Sequence, residues 1–228
     1  NHDDLWSFEG KNVPIHWHND LEINLIREGE AVFQVYQKSY RVRTGEGFLL
    51  NRNVPHSCSS PGNEHVRYST ILVRPDFLYG DFGSDVERKC FQPFLQNSAI
   101  PCIYLTGFDE NGKEILQKLN QVEEAFDRKR FCYELKIKGL LCEAFAMIFY
   151  GHRQELTKFV PANLQELERL EKMLNYLNMH FTEVISLQDL ADQVHLSREV
   201  CCRLFKKMTG KTITGYLEEY RVNKSFSL

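Results

Sequence analysis

The spacing of apolar residues changes near residue 108, and this change dictates two kinds of structure in one chain. Before it, short runs rich in β-branched and aromatic side chains occupy 21–26, 31–36, 40–42, 48–50 and 66–73. Glu28-Gly29-Glu30, Thr44-Gly45-Glu46-Gly47 and Pro61-Gly62-Asn63 interrupt them. Short strands cut by such turns predict an antiparallel sandwich or barrel. After it, Ile115, Leu119, Val122 and Phe126 recur every three or four residues, with charges between them. Residues 131–150 repeat the pattern through Leu135, Ile137, Leu140, Leu141, Phe145, Ile148 and Phe149. That spacing puts an apolar stripe on each of two helices, which are expected to pack on the β-domain or against a second copy of themselves.

A polar stretch ending at Pro161 reads as a linker over 153–162. Asn163 with Glu166 three residues on is spaced as a helix N-cap, and Leu167, Leu170, Leu174 and Leu177 mark one face of the helix it opens. The expected class is α+β: a β-domain over 1–108, a helical pair over 109–152, the linker, and an all-α part over 163–228.

Composition narrows the function classes. The chain is 43% apolar and 26% charged, which suits a globular fold rather than a disordered one. No apolar run approaches the roughly 18–20 residues that span a bilayer, so no membrane partner is expected. Seven cysteines, an odd number without CxxC spacing, argue against a secreted disulfide framework. Reduced thiols and a cytoplasmic location are expected. The opening Asn1-His2-Asp3-Asp4 lacks both a signal-peptide pattern and a Met, so the expectation is a chain trimmed at its start. The net charge of −3 hides a local excess: residues 195–211 hold Arg198, Arg203, Lys206, Lys207 and Lys211 against Glu199 alone.

That basic segment has an internal plan. Ser186 and Asp189 are spaced as a capping box, and Leu187, Leu190, Ala191 and Val194 give a short helix one apolar stripe. Ala191 is small where a second helix must approach. Val194-His195-Leu196 makes a turn, Ser197 caps the next helix, and Gly210 closes it. On that helix Cys201, Leu204, Phe205 and Met208 share one face, while Glu199, Cys202, Arg203 and Lys206 share the other. Major-groove reading needs an outward face that reaches base edges, with cations beside it for phosphates. Arg203 suits guanine, Glu199 suits a cytosine amino group, and Arg198, Lys206, Lys207 and Lys211 suit phosphates. The plainer alternative is a helical hairpin with a solvated basic face.

Leu-Gln-Asp-Leu-Ala-Asp-Gln-Val-His-Leu-Ser at 187–197, Arg-Leu-Phe-Lys-Lys-Met-Thr-Gly-Lys-Thr at 203–212 and Gly-Tyr-Leu-Glu-Glu-Tyr-Arg-Val-Asn-Lys at 215–224 resemble the AraC/XylS regulators. The resemblance covers 164–228. It implies two helix-turn-helix units joined by a connecting helix. This sequence ends at Leu228, within or just after the connector, so the second unit is expected to lie beyond it.

A second pattern lies near the N-terminus: Gly10, His16-Trp17-His18, Glu22 and Gly29. In a strand His16 and His18 share a face and Trp17 points the other way; Glu22 can join them around the turn at Asn19-Asp20. Gly45-Glu46-Gly47 followed by Pro55-His56 brings a third imidazole. Three imidazoles and a carboxylate also suit a divalent transition metal. The first segment matches the first cupin motif, while the second departs from the second cupin motif in spacing and in lacking a glycine between proline and histidine. Together they resemble the cupin-like β-barrel sensor of AraC-type regulators, which in that family binds a small effector, often a sugar, and usually without a metal.

The leading expectation is thus a ligand-responsive, non-enzymatic regulator with double-stranded DNA and a sugar-like effector as partners. It is expected to act as a homodimer through the helices at 113–128 and 131–150. His16, His18, Glu22, Asn24 and His56 are the candidate effector ligands, with Phe33 and Tyr36 behind them and Trp6, Phe8 and Trp17 as aromatic faces for a sugar ring. No cofactor is expected; His16, His18, Glu22 and His56 are the ligands if a metal is held. The rival reading is a metal-dependent cupin enzyme, an isomerase or dioxygenase, against which the basic helix counts.

Overall fold

The computed structural model describes residues 2–4, 12–62, 65–158 and 163–225. Trp6, Phe8 and Gly10, named above for a stacking face and a turn, lie outside them. Among the described residues nine strands form two antiparallel sheets: β1 (His2–Asp4), β2 (Asn12–His16), β3 (Leu21–Glu28), β4 (Glu30–Val35), β5 (Lys38–Arg43), β6 (Gly47–Leu50), β7 (His56–Ser59), β8 (Arg67–Val73) and β9 (Cys102–Leu105). One sheet runs β1-β8-β3-β6-β9 and the other β2-β7-β4-β5. The β-domain is therefore a pair of sheets; among the described residues no ladder closes it into a barrel.

Strand β3 organises the domain because both its faces are covered, as its run of buried residues requires. Leu21, Ile23 and Leu25 point to a core shared with helices, whereas Ile26 joins Phe33, Val35, Phe48 and Leu50 in a second core. Glu22 and Asn24 are the polar residues buried on this strand. Gly29 makes the β3–β4 turn with φ +81 and lies against the His65 carbonyl, a position and conformation that a Cβ would obstruct.

Helices cap the first core. After α1 (Pro75–Tyr79), a π-helical turn at Glu87–Phe91 leads into α2 (Gln92–Leu95). The long α3 (Glu110–Arg128) and α4 (Tyr133–Gly151) pack on each other and on the sheet through Ile115, Leu119, Val122, Leu141, Phe145 and Ile148. Asp109 caps α3 by accepting from the Gly112 amide at 2.7 Å. Phe126 and Leu135, placed on the apolar stripes by spacing, are instead exposed; the stripe of α3 runs through Leu116 and Ala125. The stretch read as linker opens with a helical turn, α5 (Arg153–Leu156), which buries Leu156 in the core.

The all-α part follows its capping signals. α6 (Leu164–Met179), α7 (Leu187–Gln193) and α8 (Arg198–Thr209) start where Asn163, Ser186 and Ser197 accept from the amides of Glu166, Asp189 and Val200. α9 (Ile213–Ser225) follows Gly210, whose φ of +73 ends α8. Leu170, Met173, Leu190, Ala191, Phe205 and Met208 form its core. At the turn between α7 and α8, His195 takes the left-handed φ of +53.

Candidate functional site

The residues of the N-terminal pattern meet where the two sheets face each other. β2 and β7 pair with His16 opposite His56, and β3 brings Glu22 from the other sheet. One ligand-capable atom from each of His16, His18, Glu22 and His56 lies within 4.8 Å of the others. His18 Nε2 is 2.8 Å from Glu22 Oε2. His56 Nε2 is 3.2 Å from the same oxygen, outside hydrogen-bond geometry, and is a buried nitrogen without a hydrogen-bond partner among the described residues. The other Glu22 oxygen accepts from the Asn24 amide at 2.7 Å, and Thr70 donates to Asn24 at 2.9 Å. Asn24 therefore reaches the cluster by orienting its carboxylate.

Electrostatics follow from this packing. The hydrogen bond to Glu22 raises the pKa of His18 above the ordinary histidine value, against the effect of burial. Burial lowers that of His16, with neighbouring His56 acting in the same direction. Burial alone would raise Glu22, but contacts with His18, His56 and Asn24 hold its carboxyl well below the usual range. The group is an anion faced by imidazoles. Its donor atoms lie on the scale of a single ligand atom's or ion's surroundings.

Space for a molecule exists elsewhere. A cleft of about 920 Å³ opens between the sandwich and the helical part, lined by Tyr36, Lys38, Asn51, Asn97, Glu166 and Lys207 among others. Beside it, the two parts touch. Ile15, Trp17 and Tyr36 pack partly buried against the helical core of Met173, Phe205 and Met208. Gln37 reaches toward the Lys206 carbonyl at 3.5 Å, and a Cβ on Gly210 would lie 2.5 Å from the Tyr36 carbonyl oxygen. Sequence reasoning assigned Trp17 a stacking surface; the structure turns it onto the helices. It missed the Tyr36-Gln37 turn as a contact. The available signal was the short gap between the runs at 31–36 and 40–42; in the structure Tyr36 leaves the strand and takes the left-handed φ of +52.

On α8 the outward residues divide. Arg198, Glu199 and Arg203 are exposed, with Lys206 beyond them. Cys202 is half-buried and packs on the helical core. Lys207 pairs with Glu166 at 2.6 Å and Lys211 with Glu219 at 2.5 Å. The N-terminal half of the helix thus presents one carboxylate and two guanidinium groups to solvent, while its C-terminal end lies against the sandwich.

The family described as the AraC-like ligand binding domain matches residues 5–145. This chain belongs to that family. The HTH-type transcriptional regulator YdeC of Bacillus subtilis is 28% identical to this AraC-type chain over 217 residues, which is 95% of this chain and 72% of YdeC. The HTH-type transcriptional activator RhaR of Escherichia coli O139:H28 is 20% identical over 211 residues, 91% of this chain and 70% of RhaR. Unsaturated fatty acid-bound ToxT from Vibrio cholerae aligns over 100% of this chain and 79% of its own at 15% identity, with a TM-score of 0.46. The AraC-type chain is a ligand-responsive transcriptional regulator, with its ligand-binding domain ahead of a helix-turn-helix.

Proposed function

We propose that this regulator reads DNA with Glu199 and Arg203 on α8, with Arg198 beside them for phosphate, and takes a small polar effector, sugar-like in class, in the cleft between its two parts. The observation that carries this reading is the contact of the Tyr36-Gln37 turn with the C-terminal end of the recognition helix. Lys206, Lys207 and Lys211, our choices for phosphate contact, sit at that same end, so docking and DNA contact compete for it. An effector shifts the balance only by binding one arrangement better than the other. A cleft lined from both sides is suited to that discrimination, and its amide and charged groups are the types that hydrogen-bond hydroxyls.

Two copies would place two readers on two half-sites. We assign the dimer contact to the corner between α3 and α4, where Phe126, Phe131 and Leu135 are exposed. Such a regulator works beside DNA in the cytoplasm. The names of its relatives and the basic helix support a non-enzymatic role over a metal-dependent isomerase or dioxygenase.

Selection of bound sequences from a random DNA library, followed by anisotropy titrations, tests the reader. Arg203→Ala is expected to lose about 1–3 kcal/mol on the selected site and to relax the preference at one base pair. Unchanged affinity and unchanged sequence preference would remove Arg203 from the reading face.

A further inference from the structure

The imidazole–carboxylate cluster holds information beyond its composition. Each of its three rings is pinned by a backbone carbonyl: His16 Nδ1 donates to Pro14 at 2.9 Å, His18 Nδ1 to Asp20 at 3.1 Å, and His56 Nδ1 to Val54 at 2.8 Å. A neutral ring with its proton on Nδ1 carries a lone pair on Nε2. In that neutral form each of the three rings turns Nε2, an electron-pair donor, toward a cluster whose fourth member is an anion. His56 shows the consequence, since its buried Nε2 sits 3.2 Å from a carboxylate oxygen with no hydrogen between them in bonding geometry. A buried acceptor facing another acceptor, with no donor between them, is an unfavourable arrangement.

We infer that His16, His18, Glu22 and His56 together bind a single divalent first-row transition-metal ion. One cation at their centre satisfies every donor at once. The preparation around the ligands is also of the kind metal sites use: Nδ1 bonds that fix the ring and its tautomer, and an amide that orients the carboxylate. Three nitrogens and one oxygen favour zinc, iron, nickel or copper over magnesium and calcium, which take oxygen sets. Size agrees. Ligands about 2.0–2.2 Å from an ion are at most about 4.4 Å apart, so the widest separation of 4.8 Å closes with shifts of a few tenths of an ångström. The quarter-exposed His18 leaves an entry path. The ion site is separate from the effector cleft, so either assignment stands if the other fails.

The test uses the 228-residue chain, stripped with chelator and titrated with zinc and with cobalt(II). We expect one tightly held equivalent after desalting, a rise in melting temperature with zinc, and cobalt ligand-field bands without the charge-transfer band of a thiolate. His18→Ala and His16→Ala, both at partly open positions, are each expected to weaken binding at least 100-fold while the chelated proteins melt near the parent. His180→Ala, on the helical part, should leave binding unchanged. An absent equivalent, binding that survives both cluster variants, or a thiolate band would each overturn the assignment, the last by moving the ion to the cysteines.

Discussion

Gly210, which ends α8, rests against the backbone carbonyl of Tyr36 in the two-residue turn between β4 and β5. The glycine serves two ends there. Its φ of +73 closes α8, and its missing side chain lets the turn approach to within van der Waals distance. Gly210→Ala is expected to cost about 1–2 kcal/mol from the left-handed backbone alone, and to push the sandwich off the helix because the new Cβ would stand 2.5 Å from the Tyr36 oxygen. Limited proteolysis between α5 and α6 should accelerate severalfold. A cleavage rate equal to the parent's would show that the two parts are not held by this contact.

Trp17 packs on the helical core while its neighbours His16 and His18 face the cluster. Trp17→Ala should loosen the helices selectively. Amides of α6 and α8 are expected to exchange faster by hydrogen–deuterium mass spectrometry, with β3 and β6 unaffected. Equal changes in both regions would indicate a general loss of stability instead.

Ser197 accepts from the Val200 amide at 3.4 Å and starts α8. Ser197→Ala is expected to cost about 1 kcal/mol, a fall of roughly 2–4 °C in the melting temperature of a chain this size. Ser197→Asp should keep most of that stability, since aspartate caps equally well.

Phe131 is 99% exposed at the α3–α4 corner. If this corner joins two copies, Phe131→Glu will shift the sedimentation coefficient to that of a monomer without lowering the monomer's melting temperature. A parent that sediments as a monomer at micromolar concentration would end the dimer assignment.

Thiol chemistry offers an independent check of the packing. Cys90 and Cys132 are exposed. Burial pushes Cys102 and Cys201 up to about 11 and Cys58 higher still, so these react as poorly ionised thiols. A disulfide-exchange reagent at pH 7.5 should modify Cys90 and Cys132 first, located by peptide mapping. Early labelling of Cys58 would contradict the closed sandwich.

The sequence made the helical part legible almost residue by residue because its signals are local. Caps at Asn163, Ser186 and Ser197 and the apolar faces of α7 and α8 depend on neighbours within one turn. The sandwich was legible where strands carry a run of apolar residues, as in β3, β4, β6 and β8, and opaque elsewhere. β7 and β9 are four residues long and fall outside the apolar runs, and the helices between Pro75 and Leu95 lie inside the stretch expected to be β-domain. Whether His16, His18, Glu22 and His56 converge was suggested by alternation, but their spacing in space depends on how two sheets stack, which no local pattern encodes. The same limit explains Trp17. Alternation showed that it points away from the histidines, and only the tertiary structure shows that helices are there to meet it.

That alternation has a thermodynamic corollary. If the segment that offers its even-numbered side chains to an ion also couples, through its odd-numbered ones, to the helices they pack on, the two equilibria share a free energy, and the sharing is reciprocal. Whatever factor an occupant of the cluster imposes on the grip on an operator, the operator must impose the same factor on the occupant. A promoter holding this protein would then act as a ligand too, altering how strongly each bound copy retains its ion compared with copies free in solution.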